Sequence, residues 1–340
     1  MPRRKRKTRG VAAFIYTRTT EEVPLNVESV DFSPCVIEVR QNAFRFCNAL
    51  RYLILNEGLQ RIGPAAFRDC RSLDTLVKLP STVIDIGDRA LYGCKSLRDV
   101  FLNEGLQKIG SMAFSDCQSL EHVTLPSTVI EVEGEAFWGC ATLRNLVLNE
   151  GLKKIGDGAF CECDGMEKIE LPSTIDEIGA CAFDRCTALR EVVLNHEGPL
   201  PKIGIDAFHG CTSLESVKFP YLSIRFKSIS TDLSRADVLK KIQQVHGVTM
   251  VGSEILISGT PLKGGDDWTK CKESLDQILG LITYYELKEA TSVFELALWK
   301  EKIMEKNLVN SAANRESCCI EAPGPLKDCV LQYFTYSQKW

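Results

Sequence analysis

The sequence predicts a repeat solenoid in which parallel β-strands stack coil upon coil, followed by a smaller α-helical C-terminal region. Three observations predict this fold: cysteines recur every 23–25 residues, each has the same apolar neighbours, and outer charges alternate in sign. Self-similarity at a fixed period of this length is the signature of a repeat architecture. The recurring cysteines are Cys47, Cys70, Cys94, Cys117, Cys140, Cys163, Cys186 and Cys211.

Each repeat is interpreted as one coil of the solenoid. Leu120, Val123 and Leu125 predict a half-buried strand, and a second short extended segment follows Pro126. Residues 136–140 then predict a helical or 3₁₀ turn whose Ala, Phe and Cys side chains point inward. Because one coil buries too little apolar surface to offset the cost of ordering its backbone, the coils must stack.

Two kinds of coil alternate along the chain. After its strand, the first kind turns through Asn-Glu-Gly-Leu, and the second turns through Pro-Ser-Thr followed by Val or Ile. The structural period is therefore two coils. The Asn turns begin at Asn56, Asn103 and Asn149, and the Pro turns begin at Pro80, Pro126 and Pro172.

Charges on the predicted outer surface alternate in sign along two columns. Since parallel strands lie about 4.8 Å apart, like charges on neighbouring coils would repel and opposite charges would pair. The alternation predicts that coils stack in sequence order, with each exposed pair contributing only about 0.2–1 kcal/mol. The first column is Glu28, Arg51, Asp74, Arg98, Glu121, Arg144, Glu167, Arg190 and Glu215, and the second is Glu38, Arg61, Asp85, Lys108, Glu131, Lys154, Glu177 and Lys202.

The repeated string Leu-x-x-Val-x-Leu-Pro-Ser-Thr-Val-x-x-Ile-Gly-x-x-Ala-Phe-x-x-Cys-x-x-Leu resembles the BspA-type leucine-rich repeat over about residues 27–226. The resemblance implies a right-handed leucine-rich-repeat solenoid used as a binding surface, in a family best known for adhesins and surface proteins. It brings no catalytic residues to this chain. Glu133 replaces the Gly of other coils, and we expect a local shift of the turn at Gly134.

The chain divides into four predicted regions: a basic, disordered N-terminal arm at 1–26, the solenoid at 27–226, a cap and linker at 227–272, and a helical region at 273–340. The predicted role of the last region is to cover the open end of the solenoid, which would otherwise expose unpaired strand edges. The alternative is self-association or partner docking. The first predicted helix carries the apolar stripe Leu275, Ile278, Leu279 and Ile282, and the docking alternative uses Tyr284, Tyr285, Phe294 and Trp299.

Composition favours an intracellular protein. No apolar stretch approaches the roughly 18 residues of a membrane helix, and no signal peptide is recognised. The cytoplasm is the expected compartment, or the nucleus if the basic run from Arg3 to Lys7 is an import signal rather than a solvated arm. With 41 Lys+Arg against 45 Asp+Glu, the interleaved charges predict neither a nucleic acid nor a membrane partner.

The sequence predicts no enzyme, cofactor or metal site. The cysteine column places one thiol in each coil, whereas zinc needs four convergent ligands, so we expect reduced, buried thiols. The spacing from Gly105 to Gly110 matches that of a phosphate loop but lacks its Lys-Ser/Thr ending. These glycines are therefore interpreted as turn residues of the repeat.

The strand residues that flank the central apolar residue point away from the core. The position before it varies without rule, and the position after it is apolar in Asn-type coils and polar in most Pro-type coils. We predict a non-enzymatic protein–protein interaction surface for a protein or peptide; the alternatives are a scaffold acting through the C-terminal helices, or residues that merely suit a strand. The candidates are Tyr52, Ile54, Asp99, Phe101, His122, Asn145, Val147, Lys168, Glu191 and Val193.

Overall fold

The computed structural model describes residues 13–17, 23–74, 76–195, 201–220, 241, 248–251, 254–258, 277–278 and 280–284. The chain divides into two compact units, Met1–Glu286 and Leu287–Trp340, and every described residue belongs to the first. The predicted parallel solenoid is confirmed: each coil contributes a strand to each of two sheeted sides.

One side carries strands of two to four residues, which we call the longer strands, and the other carries strands that are all two residues long. The longer strands are β1 (Ala13–Tyr16), β2 (Ser29–Phe32), β4 (Tyr52–Ile54), β6 (Val77–Lys78), β8 (Val100–Phe101), β10 (His122–Thr124), β12 (Asn145–Val147), β14 (Lys168–Leu171), β16 (Glu191–Leu194) and β18 (Ser216–Lys218). The short strands are β3 (Glu38–Val39), β5 (Arg61–Ile62), β7 (Asp85–Ile86), β9 (Lys108–Ile109), β11 (Glu131–Val132), β13 (Lys154–Ile155), β15 (Glu177–Ile178) and β17 (Lys202–Ile203), which form one continuous parallel sheet.

Coils stack in sequence order, as the first charge column predicts. The backbone N–H of Glu121 donates to the carbonyl of Arg98 at 2.9 Å, and that of Arg144 donates to the carbonyl of Glu121 at 3.1 Å. At the far end of the column, Arg190 Nη1 lies 3.0 Å from Glu215 Oε1. The alternation of sign therefore marks neighbours in space.

Neighbouring residues of the second charge column lie in register on adjacent short strands, except for Lys108 and Glu131. Lys154 Nζ lies 3.1 Å from Glu131 Oε1, whereas Lys108 Nζ turns to Glu133 Oε1 at 3.1 Å. Strands β9 and β11 pair only through Ile109 and Val132. Substitution of the repeat glycine by Glu133 thus draws Lys108 out of the column. The turn itself keeps its register, because the left-handed residue of this coil, Glu135, stands where the other coils have theirs.

The interior is a set of columns that run the length of the solenoid. Phe114 and Phe137 stack with ring centroids 5.1 Å apart and planes 4° from parallel, and Phe137 stacks in the same way on Phe160 at 5.3 Å. Leu91 interrupts this aromatic column between Phe67 and Phe114. Since all these side chains are fully buried, each coil covers the core of its neighbours.

The helical or 3₁₀ turn predicted for residues 136–140 is wrong. No described residue from 23 to 195 is helical, and the turn has positive φ at Glu135 (56°) and Gly139 (71°). Its N–H groups alternate: that of Trp138 stays within the coil, bonding Glu135 at 3.1 Å, while that of Gly139 donates to Cys161 of the next coil at 2.8 Å. A helix would keep all these donors for itself, so the stacked arrangement replaces it.

The two-coil period has a physical cause in the alternating turns. Glu104 Oε2 of an Asn turn accepts hydrogen bonds from the backbone N–H (3.0 Å) and Oγ (2.9 Å) of Ser127 in the next Pro turn. Asn149 Nδ2 donates back to the carbonyls of Pro126 at 2.7 Å and Val129 at 3.1 Å. The same contacts join Glu57 to Ser81 and Glu150 to Ser173, so each kind of turn supplies the partner that the other needs.

The N-terminal end is closed by a strand that the sequence does not predict. Strand β1 pairs in parallel with β2, so the disordered arm predicted for residues 1–26 is wrong for residues 13–16. The Tyr16 ring lies 5.1 Å from that of Phe32 and 5.2 Å from that of Phe44, and its hydroxyl accepts the N–H of Arg40 at 3.3 Å. Tyr16 therefore caps the aromatic column.

At the other end, the sheet of longer strands continues with antiparallel strands. Strand β20 (Glu254–Ser258) pairs with β18 and with β19 (Val248–Val251). Among residues 277–284 the described ones are helical, and Ile278 and Ile282 of the predicted stripe are buried in the core cluster. The rest of the predicted helical region, like Arg3–Lys7, lies outside the described residues. Within the described part of the chain, no helix is long and apolar enough to span a bilayer.

Candidate functional site

The candidate site is the strand surface, by which we mean the exposed side chains of β4, β6, β8, β10, β12, β14, β16 and β18. Along β4, β10 and β12 the residues alternate between exposed and buried, because successive side chains point to opposite faces. Ile54, Phe101 and Val147 expose 66%, 58% and 54% of their area on alternate coils. Tyr52, His122 and Asn145 are also exposed, and Asp99 is half-buried.

The coil that contains β6 has one residue more than the simple repeat, and this insertion makes the alternation of apolar and polar side chains regular. Val77 stands in register with Val100 and Lys78 with Phe101, so an extra residue precedes β6. Leu76 therefore occupies the position before the central residue and is 48% exposed. With Lys78 placed after the central residue, that column alternates strictly from Ile54 to Val147 between apolar and polar side chains.

A depression lies between β8 and β10 near the middle of the strand surface. Its volume is about 290 Å³, and it is lined by Asp99, Val100, Phe101, Leu102, Glu104, His122, Thr124 and Pro126. His122 Nδ1 lies 3.1 Å from Asp99 Oδ1 across the two strands. Three of the predicted candidates, Asp99, Phe101 and His122, thus meet in one concave place.

The last coils of the strand surface carry ion pairs instead of exposed apolar side chains. Lys168 Nζ lies 2.8 Å from Glu170 Oε1 and 3.1 Å from Glu191 Oε1, and Lys218 contacts the other oxygen of Glu191. Burial opposes ionisation of Glu191, but hydrogen bonds from Lys218 and Lys168 outweigh it and lower its pKa. Lys168 and Glu191 are therefore committed to contacts within the chain.

Val193 is buried, so the prediction that it belongs to the exposed face of its strand is wrong. The side chain is 7% exposed, although it holds the same repeat position as Ile54 and Phe101. Its cross-strand neighbours on the same face are Glu170 and Lys218, two long side chains. Val193 thus has long side chains on both sides, whereas Phe101 has the long Lys78 on one side and Thr124 on the other.

The cysteine column forms a regular set of weak hydrogen bonds inside the core. Each thiol from Cys70 to Cys211 donates to the carbonyl of the aromatic-column residue in the preceding coil at 3.1–3.3 Å. Burial raises the pKa of Cys94 and of Cys140 to about 12. Among the described residues, no group of three or more His, Cys, Asp and Glu side chains is arranged to hold a metal.

The profile of the BspA type leucine-rich repeat region matches residues 22–144 and 107–233 with six copies. The chain belongs to this family. Proteins of the BspA-type family are in general interaction modules rather than enzymes. No curated relative was found to match the chain.

A solved bacterial structure supports the resemblance of fold, and a second one is similar in sequence. A leucine-rich repeat protein from Bacteroides ovatus is 25% identical with a TM-score of 0.51, and the match covers 58% of this BspA-type chain and 54% of that protein. The chain thus spans about half the length of that protein. The T. pallidum leucine-rich repeat protein is 29% identical over 60% of this chain and 83% of its own, with a TM-score of 0.43.

Two further residues of the candidate site are not predicted from the sequence. Leu76 was hidden by the extra residue before β6, although the spacing of 24 rather than 23 from Cys70 to Cys94 was a signal of an insertion. Glu104 belongs to an Asn turn and lines the depression as well. Its recurrence in every Asn turn concealed this local role.

Proposed function

We propose that this chain is a non-enzymatic binding module whose strand surface from Tyr52 to Val147 contacts a protein or peptide. The observation that carries the proposal is the row of Ile54, Phe101 and Val147, each more than half exposed on alternate coils. Neighbouring parallel strands lie about 4.8 Å apart, so these side chains recur about every 9.6 Å along one face. Rows of this kind beside polar residues are typical of interaction surfaces.

The polar residues beside the apolar row favour specific recognition of a partner over nonspecific hydrophobic binding. Asp99, His122 and Asn145 follow one another in the column before the central residue, and each presents a different hydrogen-bonding group. The last coils contribute less to the proposed surface, because Lys168 and Glu191 already bind each other.

A matched pair of triple variants tests the proposal. Ile54, Phe101 and Val147 are changed together to Asp; in the control, Ile37, Ile84 and Ile130, which are exposed on the other sheeted side, are changed to Asp. Proteins captured from native lysate by the wild type are identified by mass spectrometry. We expect the first variant to lose the captured partners and the second to keep them. Equal capture by all three proteins would contradict the proposal.

The alternative is that the protein is a scaffold that assembles through its C-terminal helices. The only described residues there are those among 277–284, and Ile278 and Ile282 of this segment face the core rather than a partner. This observation favours the capping role. Sedimentation of the full chain and of a chain ending near Phe226 separates the two, since equal association states would exclude assembly through the helices.

A further inference from the structure

The depression between β8 and β10 combines an aromatic wall with negative charge. Phe101, Leu102 and Pro126 supply apolar surface, Asp99 and Glu104 supply carboxylates, and none of its described lining residues is Lys or Arg. A volume of about 290 Å³ is small for a whole ligand and suits a single long side chain.

Each carboxylate is held by one oxygen and presents the other. Asp99 Oδ1 is 3.1 Å from His122 Nδ1, and Glu104 Oε2 accepts the two hydrogen bonds from Ser127. Asp99 Oδ2 and Glu104 Oε1 make no hydrogen bond or ion pair with the described residues. The contacts to the first oxygens fix the orientation of both groups, so an incoming cation would meet acceptors that are already in place.

We infer that this depression binds an arginine side chain of the protein partner, with the aliphatic stem and guanidinium plane on Phe101 and the N–H donors directed to Asp99 and Glu104. Arginine fits better than lysine because its planar group stacks on an aromatic face and offers several donors in a fixed fork. The inference rests on the proposed function and names what the strand surface recognises.

Nearby cations limit the strength of this interaction. Lys78 stands beside Phe101 on the neighbouring strand away from β10, and Arg98 precedes Asp99 in the chain. Neither lines the depression, but both reduce the negative potential over it. A single arginine therefore binds weakly, and its binding weakens further as salt is added.

The probe is N-acetyl-arginine amide, with N-acetyl-citrulline amide as an uncharged control of nearly the same shape. The full chain is titrated with each compound, and the shifts of backbone amides are followed by NMR. We expect saturable shifts at residues 99–104 and 122–126 with the arginine compound, and affinity for the citrulline compound at least about threefold lower.

Variants assign the binding to the two carboxylates. Asp99→Asn with Glu104→Gln is expected to lower affinity for the arginine compound at least about threefold. Glu150→Gln, which changes the same turn position two coils away, is the control for any loosening of the turn and is expected to leave the affinity unchanged.

Equal shifts with the citrulline compound, or unchanged affinity in the double variant, would overturn the inference. In that case, loss of captured partners by the Ile54, Phe101 and Val147 triple variant would still support the binding surface. The two proposals can therefore fail separately.

Discussion

The middle and the last coils of the strand surface share one backbone and one interior but have different exteriors. From β4 to β12 the surface leaves Ile54, Phe101 and Val147 uncovered, whereas from β14 to β18 ion pairs of Lys168, Glu191 and Lys218 flank the buried Val193. The position of a residue in the repeat fixes whether it points outward. Its exposure differs from coil to coil, as the buried Val193 and the exposed Val147 show.

The largest loss of stability is expected from a substitution in the interior that both regions share. Phe137→Ala removes a fully buried ring between Phe114 and Phe160 and should lower the free energy of unfolding by about 3–5 kcal/mol. Arg144→Glu, at an exposed position in the same repeat, is the control and should cost less than about 1 kcal/mol. Urea unfolding measures both, and similar midpoints would refute the assignment of the core.

A matched pair of substitutions tests the difference between the two regions directly. Val193→Asp places a charge at a buried site and should destabilise the fold by at least about 2 kcal/mol, whereas Val147→Asp should cost less than about 0.5 kcal/mol. The two residues hold the same repeat position two coils apart. Equal losses of unfolding free energy in urea would show that the last coils are no more covered than the middle ones.

The smallest loss of stability is expected from a substitution that removes the ion pairs of the last coils. Because the pKa of Glu191 is lowered in the folded state, its contribution is present above the unfolded pKa of about 4.5 and is lost as pH falls through the folded value. At pH 7, Glu191→Gln should cost at most about 1 kcal/mol, since the group is partly solvated. The difference between wild type and variant should therefore shrink as pH falls below about 4.5; a difference that stays unchanged in acid would point to packing rather than charge.

The sequence could predict the features that repeat. The cysteine column, the aromatic column and the alternating charges each depend on the period alone, and stacking in sequence order follows from opposite charges such as Glu121 and Arg144 lying next to each other. Three of the candidate residues, Asp99, Phe101 and His122, line a common depression because adjacent coils bring equivalent positions together.

The features that were missed depend on local context. The turn at 136–140 is not helical because two of its five N–H groups, those of Phe137 and Gly139, bond the next coil. The sequence of a single repeat gives no sign of these bonds. Val193 is buried, and its cross-strand neighbours Glu170 and Lys218 lie more than 20 residues away in the chain. Strand β1 escapes notice because residues 13–16 lack the motif of the repeat.

The reciprocal bonding between the Asn and Pro turns governs how such a protein can grow or shrink. Deleting one coil would bring two turns of the same kind together, leaving a Glu without its Ser and setting like charges side by side. Deleting a pair, about 46 residues as from Cys117 to Cys163, restores every partner. Changes of length are therefore expected to occur in pairs of coils. An odd number of added coils would leave unpaired turn residues and adjacent like charges at the point of insertion, which would destabilise the solenoid there.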